Sequence, residues 1–545
     1  MRTFRPYFLL TLLCAALYLP GITTIPVTDR DEAHFAQATR QMLTSNNFFQ
    51  IRFQDTTRYQ KPPGINWLQA LSVTTFSDAE SNKIWPYRIP SVLGGLFAVL
   101  LTFAFCRHIC NEKVALLAAG LLAITLLLVV EARIALTDAM LLASMVLMQA
   151  SLGLIYLRYK WFQPIRWPIP LFFWLALSFG FLLKGVTPLV AILTIVTLCV
   201  VDRNIKWLKQ LRFHWGIPLF ILLSSWLFFV SRAEESNYLA KMLEKDLLPK
   251  LAGGHESHGG YFGFHLLLLM VTFWPASLFL WHGGIWAWRH RRHAIEKFLL
   301  AWILPTWIFF ELMPTKLPQY MLPTFPAIAL LVALAITYAH RDTVLNKYQT
   351  LLKVLCSIWV FISIIATSAI IGLSYLFNGN FAYLNIIVTI ALWIMICIAL
   401  IFVYQQKLRH AAYTLIISTA LIYPVITHYI PVATDLWSSE KIVREIQSHS
   451  ADKVSEQAPL LAIDYREPSL VFLLGTKHVK FVDIGQIVSE ISTTPRIILI
   501  SASDFAEVQQ LIQQQNFRMS TLETIQGFNY SKGRMLDLKL IEVNE

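Results

Sequence analysis

Charge is what this sequence has least of. Charged side chains make up 14% of its 545 residues, where a soluble domain carries about a quarter. With hydrophobic residues at 56%, a single water-solvated domain is excluded. Cysteine is scarce too. The six residues Cys14, Cys106, Cys110, Cys199, Cys356 and Cys397 all fall in apolar runs or in the basic loops between them. No disulfide framework is therefore expected in the polar segments. Cys106-x-His108-x-Cys110 supplies two thiols and one imidazole without a fourth ligand, and is not read as a metal site. Internal repeats, low-complexity tracts and nucleic-acid motifs are all missing. The net charge of +12 thus implies no nucleic-acid partner. Nor does a small-x-small cleavage site follow the first apolar run, which reads as an uncleaved anchor.

What is there is a succession of about thirteen apolar runs, centred near residues 16, 97, 122, 147, 177, 194, 222, 274, 305, 330, 364, 394 and 420. Roughly 20 residues cross a bilayer as helix, so the sequence predicts a polytopic α-helical membrane protein. Lys and Arg cluster in alternate loops: Arg158/Lys160/Arg166, Arg203/Lys206/Lys209/Arg212, Arg289/Arg291/Arg292/Lys297 and Arg341/Lys347/Lys353. The positive-inside rule then places the N-terminus in the cytoplasm. The short intervening loops, whose only cations are Arg133, Lys184 and Lys316, face the outer side among the membrane lipids.

Three polar segments break the hydrophobic rhythm, all on the outer side. Residues 26–87 open with Asp29 and Glu32 at capping-box spacing. A helical stretch follows with Phe35, Ala38, Met42 and Leu43 on one face, suited to an interfacial position. The second segment, 231–264, contains His255, Glu256 and His258, which resemble half a metal site. A divalent metal is the sole cofactor that the residues suggest, and no cofactor is required by them. The third segment, 432–545, alternates short β-prone runs (Leu460–Ile463, Leu470–Leu474, Lys480–Val482, Arg496–Ile500, Met535–Val543) with a helical pattern at Asp504–Gln514. It reads as a small periplasmic α/β domain after a transmembrane domain of residues 1–431.

Polar side chains collect on that same outer face. Asp31 and Glu32 follow the first run. Arg58, Tyr59 and Lys61 lie in the first outer loop, Glu131, Arg133 and Asp138 between the third and fourth runs. Lys184 follows the fifth run, and Lys316 and Tyr320 lie between the ninth and tenth. Each has an ordinary alternative. Carboxylates favour helix N-termini, lysines snorkel to headgroups, tyrosines line membrane interfaces, and loop histidines are usually solvated. Taken together, four loops supply cations that could hold a phosphate and carboxylates that could activate an acceptor.

These residues also carry a resemblance. Asp31-Glu32-Ala33-His34-Phe35-Ala36-Gln37, with Arg58-Tyr59-Gln60-Lys61-Pro62-Pro63 leading into Trp67-Leu68, resembles the first-loop pattern of bacterial lipid A aminoarabinose transferases. Those belong to the protein O-mannosyltransferase-like C-type glycosyltransferases. Arg133 to Asp138, Lys184-Gly185 and Lys316-Leu317-Pro318-Gln319-Tyr320-Met321-Leu322-Pro323 are similar to the later outer-loop motifs. Family members often carry Arg where His34 stands and an acidic residue where Gln60 stands. The resemblance implies transfer of a sugar from a polyprenyl-phosphate donor to an envelope acceptor, lipid A or lipopolysaccharide before protein. It implies Asp31, Glu32 and Asp138 as catalytic carboxylates. Lys61, Arg58, Tyr59, Lys184, Lys316 and Tyr320 would hold the donor phosphate. A transporter without covalent chemistry is the rival from another class, but inverted repeats and mid-membrane polar breaks are missing.

Overall fold

The computed structural model describes residues 4–59, 61–233, 238–249, 260–338, 349–378, 383–450, 453–491 and 496–544. Among them, seven helices are long and apolar enough to cross a membrane: Trp85–Ile109, Asp138–Lys160, Phe213–Val230, Pro318–Tyr338, Lys353–Gly372, Tyr383–Tyr404 and Leu408–Val432. An eighth candidate, Phe264–Thr272 with Ala276–His290, is bent by 115°. These coincide with eight of the apolar runs. The other runs form shorter or more polar helices. Arg5–Tyr18, Pro168–Lys184 and Thr187–Asp202 are short, and the run near 122 is broken between Glu112–Ala123 and Leu126–Glu131. The run near 305 becomes Ala294–Leu312, which holds the buried carboxylates Glu296 and Glu311.

Burial sorts the spans into an inner and an outer set. Asp138–Lys160 and Pro318–Tyr338 are 89% and 94% buried, whereas Lys353–Gly372 is 17% buried and displays Phe361, Ile364 and Ile365. Apolar surface on that scale is stable only against lipid, so the chain is a multi-span membrane protein. The central helix shows where the membrane faces lie. Its 23 residues from Asp138 to Lys160 rise about 34 Å, close to the hydrocarbon thickness. At one end Asp138 pairs with Lys184 at 2.6 Å; at the other Lys160 and Lys297 pair with Asp202 at 2.7 and 2.6 Å. This helix packs against Trp85–Ile109 at close range. A Cβ on Gly94 would meet the backbone nitrogen of Met140 at 2.5 Å, so only glycine permits that approach.

The first polar segment folds as two helices, Asp31–Ser45 and Gly64–Phe76, joined by a small ribbon of β1 (Arg52–Phe53) and β2 (Thr56–Thr57). The Asp31–Ser45 helix does not expose one apolar face as the sequence suggests. It is buried around most of its circumference, including Ala33, Ala36, Gln37 and Thr39, because Pro468–Leu474 covers the face that the sequence leaves open. Asp29 and Glu32 form no capping box either. The N-cap is Arg30, without a side-chain cap, and both carboxylates bind elsewhere.

The last part of the chain contains a five-stranded sheet of order β4-β3-β5-β7-β6. Its strands are β3 (Leu460–Ala462), β4 (Val479–Phe481), β5 (Arg496–Ser501), β6 (Arg518–Asn529) and β7 (Arg534–Asn544). β3 runs parallel to β4 and β5, while β7 pairs antiparallel with β5 and β6. Side chains alternate across the sheet. Leu460, Ala462, Ile497 and Leu499 pack under Ser438–Ser450 and Pro468–Leu474, and Leu461, Ile498 and Ile500 under Phe505–Gln514. Two elements differ from expectation. Leu470–Leu474 is helix, since Pro468 presets the first turn and a five-residue apolar run has no decisive period. β6 went unforeseen because its half-exposed sequence is largely polar.

Candidate active site

Glu32 anchors the site. Arg88, 1% exposed in the Trp85–Ile109 helix, grips it with both prongs, Nε to Oε1 at 2.8 Å and Nη2 to Oε2 at 2.9 Å. The backbone N–H of Ala135 adds a bond of 2.8 Å, and Thr28 donates from N and Oγ1 at 2.8 and 2.9 Å. Burial alone would push this carboxyl up, yet Arg88 and the backbone donors hold it below the usual carboxylate range. Arg88 spreads further, onto the carbonyls of Ile22, Ile25 and Pro26. The segment Ile22–Glu32 and, through Glu32, Ala135 are thereby tied to one arginine. Replacing Arg88 with leucine leaves a buried carboxylate unpaired, which costs about 3–5 kcal/mol. Thermal unfolding in detergent should show a large loss, and a melting temperature equal to the wild type would refute the clamp.

Beside this anchor, Asp31 begins its helix exposed. Among the described residues it has no hydrogen-bond or salt-bridge partner, although its charge acts on His34 and on Glu131. His34 rests on the Phe53 ring at 4.6 Å. Burial first, and then the Arg58 charge, push its imidazole down to about 3, so it is neutral at physiological pH. Asp138 and Lys184 face each other at 2.6 Å, and Glu131 is buried beside them, its Oε2 without a partner among the described residues.

Lys61 reaches the same place from the first loop. A Cβ on Gly64 would meet the Leu182 carbonyl oxygen at 2.5 Å. Glycine there lets the loop lie against the Pro168–Lys184 helix, and Lys61 and Lys184 line one cavity. The hydroxyl of Tyr238 donates to the carbonyls of Arg58 and Lys61 at 3.2 and 3.1 Å. The Tyr59 ring lies tilted, 5.3 Å from that of Tyr238, under the ammonium groups of Lys241 and Lys245 at 4.7 and 4.9 Å. The Arg58 guanidinium lies over the Phe35 ring at 5.3 Å. Lys61 and Lys184 both line a cavity of about 470 Å³, whose remaining wall is mainly apolar and includes Leu189, Val190, Ile192, Phe309 and Met313. Tyr320 lines it too, 5.8 Å beneath the Lys184 ammonium.

Lys316 stands apart from this cavity. Its ammonium meets the carbonyl of Glu311 at the end of the Ala294–Leu312 helix, and the Glu311 carboxylate at 3.7 Å. Glu311 also accepts from Gly263 at 2.6 Å and pairs with His265 at 3.0 Å. His255, Glu256, His258 and Gln60 lie outside the described residues. Sequence reasoning missed Arg88, His265 and Glu311. An arginine inside an apolar span was the available signal for Arg88.

Asp29 was read only as a cap. Its carboxyl accepts from Ser469 and its N–H bonds the Tyr530 hydroxyl. Burial and then the Glu467 charge push it up to about 7, against Ser469, Arg30 and Tyr530. Because the folded value is raised, the associated stability is fully present below about pH 4 and is lost as pH rises to about 7. Asp29→Asn removes that slope. Its melting temperature relative to wild type should climb between pH 5 and pH 8, and a constant difference would refute the assignment.

Residues 60–229 match the family described as dolichyl-phosphate-mannose-protein mannosyltransferase. An uncharacterised protein of Aquifex aeolicus is 26% identical over 60% of this chain and 63% of its own length. An undecaprenyl phosphate-alpha-4-amino-4-deoxy-L-arabinose arabinosyl transferase of Pseudomonas fluorescens is 26% identical over 60% of this chain and 57% of its own. The chain thus spans less than two-thirds of the length of either relative. Among solved structures, ArnT from Cupriavidus metallidurans bound to undecaprenyl phosphate has a TM-score of 0.73 at 17% identity, covering 99% of this chain and 98% of that one. At that identity the likeness is one of fold.

Proposed function

We propose that the chain is a membrane glycosyltransferase of the protein mannosyltransferase-like kind, to which residues 60–229 and the arabinosyl transferase relative are similar, and that it moves a sugar from a polyprenyl monophosphate to an envelope acceptor. The observation that carries this is the cavity lined by two lysines and an otherwise mainly apolar wall. A phosphate headgroup needs fixed cations, and a prenyl tail needs a greasy channel; the cavity offers both side by side. Lys61 and Lys184 take the phosphate, with Tyr320 lining the channel and Arg58 and Tyr59 shaping the loop. Lys316 supports the Tyr320 segment from outside the channel.

The reaction is a single displacement with inversion. An acceptor oxygen attacks the anomeric carbon, the carbon–oxygen bond to the carrier breaks, and its electron pair leaves with the phosphate. Charge grows on that phosphate in the transition state, where Lys61 and Lys184 stabilise it. Asp31 faces the acceptor and takes its proton if the acceptor is a hydroxyl. Asp138 holds Lys184, and Glu32 holds the helix that presents Asp31. About thirteen spans place the N-terminus inside and residues 432–545 outside as a separate α/β domain. The charge separation along the central helix supports that orientation.

Lipid A or lipopolysaccharide is the acceptor we favour, given the arabinosyl transferase relative. The matching family is described by transfer to protein, so a hydroxyl-bearing peptide is the second reading. Purified protein supplied with undecaprenyl-phosphate-linked aminoarabinose should add its mass to lipid A, read by mass spectrometry. Transfer to a serine- or threonine-containing peptide alone would establish the second reading. Transfer to neither, with other polyprenyl-linked sugars also inert, would refute the enzyme.

A further inference from the structure

We infer that the C-terminal sheet module holds the helix carrying Asp31 in its working position, through residues 467–476 and Tyr530. The activity arm of this inference rests on the glycosyl-transfer reading. The grip is distributed along the whole Asp31–Ser45 helix. At its start, Ser469 donates to the Asp29 carboxylate and Tyr530 takes the Asp29 N–H. Midway, Gln37 Nε2 donates to Thr476 Oγ1 at 2.6 Å, and Arg40 Nη1 to the Phe472 carbonyl at 2.9 Å. Gln54, in the loop after the helix, donates to the carbonyl of Val479 at 2.8 Å. Phe472 itself is fully buried among Val27, Ala33, Ala36, Tyr87 and Ala135, with its ring 5.5 Å from that of Tyr87. The core beneath the helix is therefore completed by a side chain from the other end of the sequence.

Two further observations give the contact a functional direction. Arg30, between Asp29 and Asp31, has φ 60° and ψ −113°, a conformation that a side-chain-bearing residue keeps only when its neighbours enforce it. The bonds to Asp29 do so on one side. Ser469 is in turn held by Ser439 at 2.6 Å, and Ser439 by Tyr465 at 2.7 Å, so the grip leads into the module core. By contrast, no residue of the module lines the cavity of Lys61 and Lys184. The module is set to govern how Asp31 is presented, while leaving donor binding alone.

The test uses the full-length protein with Ser469→Ala, Phe472→Ala and, as a control, Ile512→Ala, which opens the module core on the opposite face of the sheet. Hydrogen exchange and turnover are measured beside the affinity for undecaprenyl phosphate. The first two variants should exchange the backbone amides of residues 30–45 faster and lower kcat by about tenfold or more, with donor affinity retained. Ile512→Ala should leave both the exchange of that helix and kcat near wild type. Equal effects in all three variants would reduce the module to a source of general stability, and wild-type exchange in Ser469→Ala and Phe472→Ala would overturn the inference outright. If the wild type transfers no sugar, the functional reading fails, and the exchange of residues 30–45 still decides whether the grip exists.

Discussion

Asparagine at position 31 is expected to lower sugar transfer to a hydroxyl acceptor by about a thousandfold, the scale of a lost general base, with the affinity for undecaprenyl phosphate unchanged. The adjacent carboxylates make the case. Glu32 is enclosed by Arg88, Thr28 and Ala135, and Asp138 by Lys184. Asp31 alone of the three is exposed, and no hydrogen bond or ion pair holds it among the described residues. Its removal leaves no buried group orphaned, so folding should survive. A phosphate acceptor, already anionic, needs no proton removed, and the loss with lipid A should then be smaller. Steady-state transfer to both acceptors, with carrier-lipid binding measured beside it, checks the expectation. Wild-type turnover on a hydroxyl acceptor would leave Asp31 an ordinary helix N-terminal carboxylate.

Alanine at Lys61 should weaken both carrier binding and turnover. Lys61 meets the cavity beside Lys184, and its backbone is fixed on either side. Pro62 and Pro63 are buried and conformationally stiff, Gly64 permits the contact with Leu182, and Tyr238 holds the Lys61 carbonyl. A charge-assisted hydrogen bond in a partly dry site contributes roughly 1.5–3 kcal/mol, or about ten- to a hundredfold in affinity. Lys61→Arg should restore part of it, since a guanidinium meets phosphate with a different reach and geometry. Lys316→Ala is the contrast. Its ammonium sits on Glu311 and the end of a helix, so that variant should lose thermal stability with carrier affinity kept. Undiminished affinity and turnover in Lys61→Ala would remove the phosphate assignment from the first loop.

Much of this was legible in the residue order. Apolar runs of membrane length, and cations confined to alternate loops, dictate a multi-span helical protein, because lipid tolerates little else. The short motifs around Asp31, Lys61, Asp138 and Lys184 identified groups that the fold does assemble, with Lys61 and Lys184 sharing one cavity. Those motifs are local, and local patterns survive in sequence. Partnership is not local. Nothing near Glu32 announces that Arg88, 56 positions on, will neutralise it, nor near Asp29 that Ser469, 440 positions on, will bind it. That Pro468–Leu474 covers the open face of Asp31–Ser45 was hidden for that same reason. Each apolar face was seen without the surface that covers it. Sequence determined which groups stand at the outer face. Only the tertiary structure decided which of them are already paired: a paired charge anchors the fold, while Asp31 is exposed, with no hydrogen bond or ion pair among the described residues.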